Sequence, residues 1–193
     1  MKPLMIGIAG GSASGKSTFL RTVVEAIKNS HPDLNIETIS TDRYFYRDDR
    51  IPKYVSPAFQ QEIPNFNHPE ALYIPQLLED LESLQTPDIV LVEGHLLFHY
   101  PDVREKFDIR LFIDLNGETR ALRRMVRNLE HHGDPIPDHS AQSIASYYLE
   151  SAHKGYVKFI EPTKQYADLI LRGDADFSRV AKMINAMVQG MLQ

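Results

Sequence analysis

The fold is decided by the stretch Gly10-Gly11-Ser12-Ala13-Ser14-Gly15-Lys16-Ser17, near the start of a chain of 193 residues. This stretch fits G-x-x-x-x-G-K-[ST], the pattern of a phosphate-binding P-loop. The apolar run 4–9 before it predicts a buried strand, and apolar side chains at helical spacing over 18–30 predict a helix after it. A P-loop needs this strand-loop-helix context, which a chance glycine-rich turn would lack.

Every residue type in this loop has a use in binding a polyphosphate. Glycine lets the backbone turn tightly and aim successive N–H groups at phosphate oxygens, and the N-terminus of the following helix adds partial positive charge. Lys16 can reach the terminal phosphates, and the Ser17 hydroxyl can bind Mg²⁺. The predicted nucleotide-binding residues are Gly10, Gly11, Ser12, Ala13, Ser14, Gly15, Lys16, Ser17 and Thr18.

Composition narrows the class of protein. The chain is 42% hydrophobic and 24% charged, which is ordinary for a single globular domain, here expected to span residues 1–193. A formal net charge of −5 gives no indication of a nucleic-acid or membrane surface. The chain has no cysteine, which excludes disulfide and thiol chemistry and fits a cytoplasmic protein.

Strand-like and helix-like segments alternate along the rest of the chain. Further strands are predicted at 36–40, 89–92, 109–113 and 167–171. Helices are predicted at 70–84, from Asn116 onward, at 140–160 and at 178–192, the last with Val180, Met183, Ile184, Met187 and Val188 facing inward. Residues 41–66 are expected to be irregular. The alternation predicts an α/β fold, a mostly parallel sheet with helices on both faces, and ligands at the carboxyl ends of the strands.

Two carboxylates follow predicted strands. Asp42 lies after the second strand, where it could accept a proton from a substrate hydroxyl, help to hold Mg²⁺, or do both. Its alternative role is an Asx turn at the strand exit. Glu93 ends the next strand in the position of a Walker-B acid, which acts on Mg²⁺, and its alternative role is a solvated carboxylate.

Four arginines are predicted to share one broad helix face, at positions 120, 123, 124 and 127. Like charges on one face repel one another unless an anion compensates them, so the cluster predicts phosphate binding, with a solvated face as the alternative.

Aromatic and histidine side chains give weaker signals. An aromatic wall for a flat substrate, or simple packing, is predicted for Tyr44, Phe45, Tyr46, Phe66 and His68. Metal-ligand spacing is missing around His131, His132 and His139, which predicts a solvated loop. His95 and His99 are interpreted in the same way.

Taken together, these residues resemble the uridine kinase branch of the P-loop nucleoside and small-molecule kinases. The resembling segments, beyond the P-loop, are Asn65-Phe66-Asn67-His68-Pro69-Glu70-Ala71 against N-F-D-H-P-D-A, Val92-Glu93-Gly94-His95-Leu96-Leu97-Phe98 against V-E-G-I-L-L-F, Arg123-Arg124-Met125-Val126-Arg127 against R-R-x-x-R, and Glu161-Pro162-Thr163-Lys164-Gln165-Tyr166-Ala167-Asp168 against E-P-[ST]-K-x-Y-A-D. The resemblance runs through most of the chain and implies a P-loop NTPase fold with a helical lid, here at about 123–142.

The resemblance also implies roles. Asp42 becomes the general base, Ser17 and Glu93 belong to the magnesium site with Asp42 beside them, and Lys16, Arg124 and Arg127 act on the transferring phosphate. Substrate contacts are expected from Asp42, Tyr44, Phe66, Asn67 and Arg124. ATP and Mg²⁺ are the implied cofactors, and a small molecule is the implied partner. The resemblance leaves open whether the chain forms a homo-oligomer.

The departures from the family are informative. Uridine kinases carry a pyrimidine-reading hairpin before the Walker-B strand, whereas residues 84–88 here join helix and strand directly. Asn67 replaces an aspartate that holds the ribose hydroxyls. In the lid, two phosphate-binding arginines are replaced by His132 and Asp134, and the loop that follows is longer.

The leading hypothesis is an ATP-dependent kinase for a primary hydroxyl, most simply the 5′-hydroxyl of a ribonucleoside. One alternative keeps the chemistry and changes the substrate to nicotinamide riboside, a sugar or a vitamin precursor. A second alternative is a nucleotide-binding regulator with little turnover, which the altered lid favours and the retained Asp42 opposes. The guanine-reading pattern N-K-x-D is absent, which argues against a GTPase switch.

Overall fold

A computed structural model describes residues 2–192, and the five strands of its main sheet fall near the predicted apolar runs. The seven strands are β1 (Leu4–Gly10), β2 (Ile36–Ser40), β3 (Lys53–Ser56), β4 (Gln61–Pro64), β5 (Ile89–Gly94), β6 (Ile109–Asp114) and β7 (Leu169–Arg172). Five of them form one parallel sheet in the order β2-β5-β1-β6-β7. Every residue of β1 is buried, as expected for a strand covered on both faces.

Helices cover both faces of the sheet, which confirms the predicted α/β fold. The helices are α1 (Lys16–Ser30), α2 (Ile74–Ser83), α3 (Pro101–Arg104), α4 (Gly117–His131), α5 (Ala141–Tyr147), α6 (His153–Gly155) and α7 (Phe177–Met191). One core packs α1 and α7 on the sheet through side chains such as Phe19 and Ile184. The other core packs α2 on the opposite face through Leu77 and Leu81. No helix within residues 2–192 is long and apolar enough to cross a membrane.

Two helix predictions need correction. Helix α2 begins at Ile74 rather than at residue 70, because Pro75 has no N–H and is tolerated only in the first turn. In α7 the buried positions are Ala181, Ile184 and Val188, whereas Met183 is 63% exposed. Met187 is likewise exposed, because neighbouring residues of a helix point about 100° apart.

The predicted helix over 140–160 is helical throughout but is not a uniform α-helix. Two π-helical segments, Tyr148–Ala152 and Tyr156–Ile160, flank α6. Gly155 lies between them, and a side chain there would collide with Asn67. The π-helical turns therefore bring this part of the chain close to the segment around Asn67, which belongs to the site described below.

Residues 41–66 contain a β-hairpin, so the expectation of an irregular stretch is wrong. Strands β3 and β4 pair in antiparallel register from Lys53↔Pro64 to Ser56↔Gln61. The carboxylate of Glu150 accepts hydrogen bonds from the Ser56 hydroxyl and from the Ala58 N–H. A small third core, formed by Ile63, Ile136, Ile144 and Tyr147, joins the hairpin to the lid loop and α5.

The run over residues 161–168, which matches a family pattern in the sequence analysis, stabilises the edge of the sheet. Lys164 Nζ donates to Asp114 Oδ2 at 2.8 Å, at the end of β6. The backbone N–H and guanidinium of Arg110 donate to the Asp168 carboxylate, the latter at 2.9 Å. The run therefore has a structural role at the β6–β7 edge.

Candidate active site

The P-loop joins β1 to α1 and leaves the start of α1 open to a ligand. Gly15 adopts a left-handed conformation, with φ of 104°, and no side chain caps the helix. The first N–H groups of a helix have no partner within it, and their partial positive charge favours an anion. The local backbone is thus arranged as an anion-binding site.

A cavity of about 530 Å³ lies over this loop, and we call it the P-loop cavity. Its lining includes most of the predicted nucleotide-binding residues together with both predicted carboxylates: Ser12, Ala13, Gly15, Lys16, Ser17, Thr18, Asp42, Glu93, His95, Arg123, Arg127, Gly173, Asp174, Ala175 and Phe177. Ser14 is fully buried, and its hydroxyl has no partner within residues 2–192.

Lys16 is a partly dehydrated cation in this cavity. It is only 8% exposed, and its Nζ donates to the Gly11 carbonyl oxygen at 3.0 Å. Burial lowers the pKa of Lys16, and the nearby carboxylates of Glu93 and Asp42 partly counteract that effect. An anionic ligand would therefore stabilise the charged lysine further.

Oxygen ligands suited to Mg²⁺ meet beside the P-loop. The Ser17 hydroxyl donates to Glu93 Oε1 at 2.9 Å, and Asp42 lines the same cavity. Residues 2–192 contain no group of three or more His, Asp or Glu side chains placed to hold a metal. Mg²⁺ is commonly held by one or two carboxylates plus substrate phosphates, so a hydroxyl and one or two carboxylates fit it.

The Asp42 carboxylate is available for chemistry. The Asx-turn alternative is not what the structure shows, because the turn after β2 is capped by Ser40, whose Oγ accepts from the Asp42 N–H at 3.4 Å. The Asp42 carboxylate itself makes no hydrogen bond within the described residues. It lines the P-loop cavity and also a second, adjoining one.

The second cavity, of about 390 Å³, is here named the aromatic cavity. It is lined by Ser12, Asp42, Phe45, Arg47, Phe66, Asn67, His95, Arg124, Arg127, Gly133, Asp134, Pro135 and Tyr147. Four residues are shared with the P-loop cavity, namely Ser12, Asp42, His95 and Arg127. The free carboxylate of Asp42 thus lies where the two cavities meet.

The wall of the aromatic cavity is made by Phe45, Phe66 and His95. Phe45 stacks on His95 with ring centroids 5.7 Å apart and meets Phe66 edge to face at 5.2 Å. His95 Nε2 lies 3.1 Å from the Phe66 carbonyl oxygen. Burial, followed by repulsion from Lys16, lowers the pKa of His95 to about 3. The interpretation of His95 as a solvated loop residue is therefore wrong.

Three of the predicted wall residues lie elsewhere. Tyr44 is 6% exposed, and its hydroxyl donates to Asp80 Oδ2 at 2.7 Å in the contact with α2, where burial raises its pKa to about 12. Tyr46 packs on Tyr73, and His68 packs on Phe159. The chain forms a 3₁₀ helix over Thr41–Tyr44, which turns the Tyr44 side chain into the core. Of the three aromatic residues at 44–46, only Phe45 lines the aromatic cavity.

Asn67 is held in a polar network below the aromatic cavity. Its amide Nδ2 donates to Ser151 Oγ at 2.9 Å and, more weakly, to the Tyr147 hydroxyl at 3.5 Å. Ser151 Oγ in turn donates to Asn65 Oδ1 at 2.8 Å, so Ser151 can only accept from residue 67. The direction of these bonds explains an amide at residue 67, since an ionised carboxylate has no hydrogen to donate.

The four arginines have two different environments, so the prediction that they share one broad phosphate-binding face is only partly correct. Arg120 is buried, its guanidinium lies 3.6 Å from the centroid of the Tyr156 ring, and its Nε donates to the Leu115 carbonyl. Arg123 is exposed and donates to the Gly173 carbonyl at 3.2 Å. Arg120 therefore supports the structure, whereas Arg123 faces the P-loop cavity.

Arg124 and Arg127 differ in the same way, although both line the aromatic cavity. Arg124 forms a bidentate ion pair with Asp134, with Nε and Oδ2 3.0 Å apart and side chains 7% and 4% exposed. Arg127 is exposed, has Ser12 Oγ 3.4 Å from its guanidinium, and shows a lowered pKa through desolvation and repulsion from Arg124. Asp134 thus neutralises Arg124, one of the arginines expected to act on phosphate.

One segment of the site was not predicted. Residues 173–175 after β7 and Phe177 at the start of α7 line the P-loop cavity and lie against Ser14 and Gly15, yet they contain no phosphate-binding motif. Their position just after the carboxyl end of a parallel strand is the signal that identifies them, and the same signal applies to His95 after β5.

Comparison with known proteins agrees with this geometry. The sequence profile described as the phosphoribulokinase / uridine kinase family matches residues 51–176. Proteins named uridine kinase from Clostridium botulinum (strain Okra) and Chloroflexus aurantiacus (strain J-10-fl) are 32% and 30% identical to the chain; the alignments cover 100% and 99% of it, and 98% and 97% of the relatives.

Solved structures share the fold at low sequence identity. Shikimate kinase from Acinetobacter baumannii in complex with shikimate superposes with a TM-score of 0.57 at 14% identity, covering 98% of the chain and 94% of that structure. The putative fructose transport system kinase from Silicibacter sp. TM1040 gives 0.56 at 18% identity, with coverages of 88% and 89%.

Proposed function

The chain belongs to the phosphoribulokinase / uridine kinase family of ATP-dependent kinases, and from this premise we propose that it phosphorylates the 5′-hydroxyl of a ribonucleoside. The observation that carries the proposal is the place of Asp42. Its carboxylate has no partner within residues 2–192 and lies at the junction of the P-loop cavity and the aromatic cavity. A general base for phosphoryl transfer has to stand between donor and acceptor in this way.

We assign the donor to the P-loop cavity. The uncapped start of α1 and Lys16 bind the phosphates of ATP, and Arg127 adds positive charge from the lid side. Residues 173–175, Phe177 and Arg123 line the rest of this cavity, and we assign the nucleotide base to them. Ser17 and Glu93, with Asp42 nearby, would hold Mg²⁺, which when bound neutralises charge on the phosphate oxygens.

We assign the acceptor to the aromatic cavity. Phe45 and Phe66 offer ring faces and edges to a flat base, and Asp42 accepts the proton of the attacking hydroxyl. Because the chain has no hairpin between α2 and β5, the base is read differently from the pyrimidine of uridine kinases. Nicotinamide riboside, a sugar or a vitamin precursor is the alternative acceptor for the same chemistry.

The test is a screen for ADP release with ATP and Mg²⁺ against uridine, cytidine, nicotinamide riboside, other nucleosides, sugars and vitamin precursors. Nucleoside turnover supports the proposal, and turnover only on a sugar or vitamin precursor replaces the substrate class. Asp42→Asn should lower kcat by about 10²–10⁴-fold with ATP affinity retained, because it removes the base without disturbing the P-loop.

The second candidate function is a nucleotide-binding regulator. It is supported by the Arg124–Asp134 ion pair, because an arginine bound to a carboxylate is not available to bind phosphate. It predicts tight ATP binding without turnover on any acceptor in the panel. In that case Asp42→Asn would have no rate to lower, and the absence of turnover in both the wild type and the variant would favour the regulator.

A further inference from the structure

We propose that His95 determines acceptor specificity, by accepting a hydrogen bond at Nδ1 from a ribose hydroxyl of the bound nucleoside. The inference rests on the proposed function, because it takes the aromatic cavity as the acceptor site. It assigns to His95 a contact with substrate that the P-loop and the two carboxylates do not provide.

The hydrogen-bonding pattern of His95 is fixed by its neighbour. A carbonyl oxygen can only accept, so the 3.1 Å contact with the Phe66 carbonyl places the ring hydrogen on Nε2. A neutral imidazole carries one N–H, which leaves Nδ1 with a free lone pair. Nδ1 of His95 is therefore a hydrogen-bond acceptor.

The free nitrogen is accessible from the site. Nδ1 has no hydrogen-bond partner within residues 2–192, and it is not one of the fully buried unpartnered atoms there. The residue itself is half-buried and lines both cavities beside Asp42. A hydroxyl near the reacting 5′-oxygen therefore lies within the region that His95 faces.

The ring is held in place before substrate arrives. Stacking on Phe45, with planes 29° apart, fixes its tilt, and the bond to Phe66 fixes its rotation. A preorganised acceptor discriminates better than a mobile one, since no side-chain freedom is lost on binding. Phe45 and Phe66 also form the apolar wall, so the same three residues position both the flat and the hydroxylated part of a nucleoside.

Few groups near the cavity can accept a hydrogen bond from a second substrate hydroxyl. Arg124 is occupied by Asp134 and has no acceptor atom. Asp42 is assigned to the reacting hydroxyl. The amide nitrogen of Asn67 is used by Ser151 and Tyr147, and its Oδ1 is a second neutral acceptor beside His95 Nδ1. The His95 variants below separate the contribution of His95 from that of Asn67.

The experiment compares two variants at pH 8. His95→Phe keeps an aromatic ring for stacking and removes both nitrogens, whereas His95→Gln keeps a donor and an acceptor and removes the ring. The values of kcat/KM are measured for whichever of uridine, cytidine and nicotinamide riboside the wild type phosphorylates best, and for its 2′-deoxy and 3′-deoxy analogues. Wild type should disfavour one deoxy analogue by about 10- to 100-fold, the range expected for one hydrogen bond lost in a buried site.

His95→Phe should reduce that preference to less than about 3-fold, with the KM for ATP unchanged, and His95→Gln should retain part of it. An equal loss of kcat/KM on the parent nucleoside and both analogues would show a packing role and overturn the proposal. If His95→Phe does not fold, ¹⁵N-histidine NMR of the wild-type protein decides, because Nδ1 must shift when the parent nucleoside binds.

The two proposals fail in distinguishable ways. If wild type phosphorylates none of the nucleosides, the proposed substrate class is wrong, and the assignment of His95 is overturned with it. If wild type phosphorylates a nucleoside but shows no preference over its deoxy analogues, only the assignment of His95 is overturned.

Discussion

The P-loop cavity and the aromatic cavity share a wall but are built in different ways. The first is formed mainly by one continuous segment and by residues at the carboxyl ends of strands, so its parts are close in sequence or in topology. The second brings together Phe45, Phe66, Asp134 and Tyr147, which are distant in the chain. Under the proposed function, phosphate binding would depend on local backbone geometry, whereas acceptor recognition would depend on tertiary contacts.

Charge distinguishes the two cavities as well. Lys16 and Arg127 face the P-loop cavity without a carboxylate bonded to them among the described residues, ready for an anion. In the aromatic cavity Arg124 is already neutralised by Asp134. Two arginines predicted to share one helix face therefore have opposite electrostatic environments, and the following variants test whether their roles differ as well.

The largest effect is expected from Arg127→Met. The guanidinium lies beside Ser12 of the P-loop and faces both cavities, so its loss removes charge stabilisation from the transition state. We expect kcat to fall by about 10³-fold, at the lower end of the range for an arginine on a transferring phosphate, with thermal stability unchanged. Arg179→Met, at an exposed arginine of α7, is the matched control; equal kinetics for the two variants would remove Arg127 from the catalytic group.

For Arg124→Met we expect a loss of stability, in contrast to the loss of kcat expected for Arg127→Met. Removing one partner leaves the buried Asp134 carboxylate unpaired, which should lower the free energy of unfolding by about 3–5 kcal/mol. Urea denaturation at pH 7.5 measures the loss. The double variant Arg124→Met/Asp134→Leu should recover most of it, because no charge is left buried. A single variant as stable as wild type would mean that Arg124 is free to act on phosphate.

A smaller effect is expected where the polar network supports the aromatic cavity. Asn67→Asp places a carboxylate against oxygens of Ser151 and Tyr147, so the free energy of unfolding should fall by about 1–3 kcal/mol and the KM of the acceptor should rise. The control is Asn185→Asp, whose amide donates to Ser30 Oγ near the protein surface. Similar unfolding for both variants would argue against the network.

The smallest effect is expected at the sheet edge, away from both cavities. Asp168→Asn weakens an exposed pair with Arg110 and should cost about 0.2–1 kcal/mol, with kinetics unchanged. Hydrogen bonds from Arg110 lower the pKa of Asp168, so its contribution is present above about pH 4 and is lost as the pH falls through the lowered pKa. The difference between wild type and variant in urea should therefore disappear in acid.

The sequence predicts those parts of the molecule that depend on neighbours along the chain. The P-loop, the buried strands and the helix starts at Asn116 and Ser140 follow from local residue types, and both of these residues cap their helices through their side chains. The hairpin at 53–64 escapes prediction because its four-residue strands are stabilised by Glu150 and the third core rather than by their own pattern.

The same distinction applies within the site. Ser17 is identified by the P-loop pattern, Asp42 and Glu93 by their positions at strand ends, and all three lie together in the P-loop cavity. The direction of Tyr44 and the partner of Arg124 depend on contacts with Asp80 and Asp134, which no spacing in the sequence encodes. His95 is missed because a single histidine has no pattern, although its place after β5 is informative.

The ion pair of Arg124 and Asp134 also limits how this lid can change by mutation. An arginine at residue 134 alone would put two guanidinium groups into one buried space, where neither has a counter-charge. Removal of Arg124 alone would leave the buried Asp134 carboxylate unpaired. Each single substitution within the pair therefore destabilises the protein, so we expect residues 124 and 134 to change together.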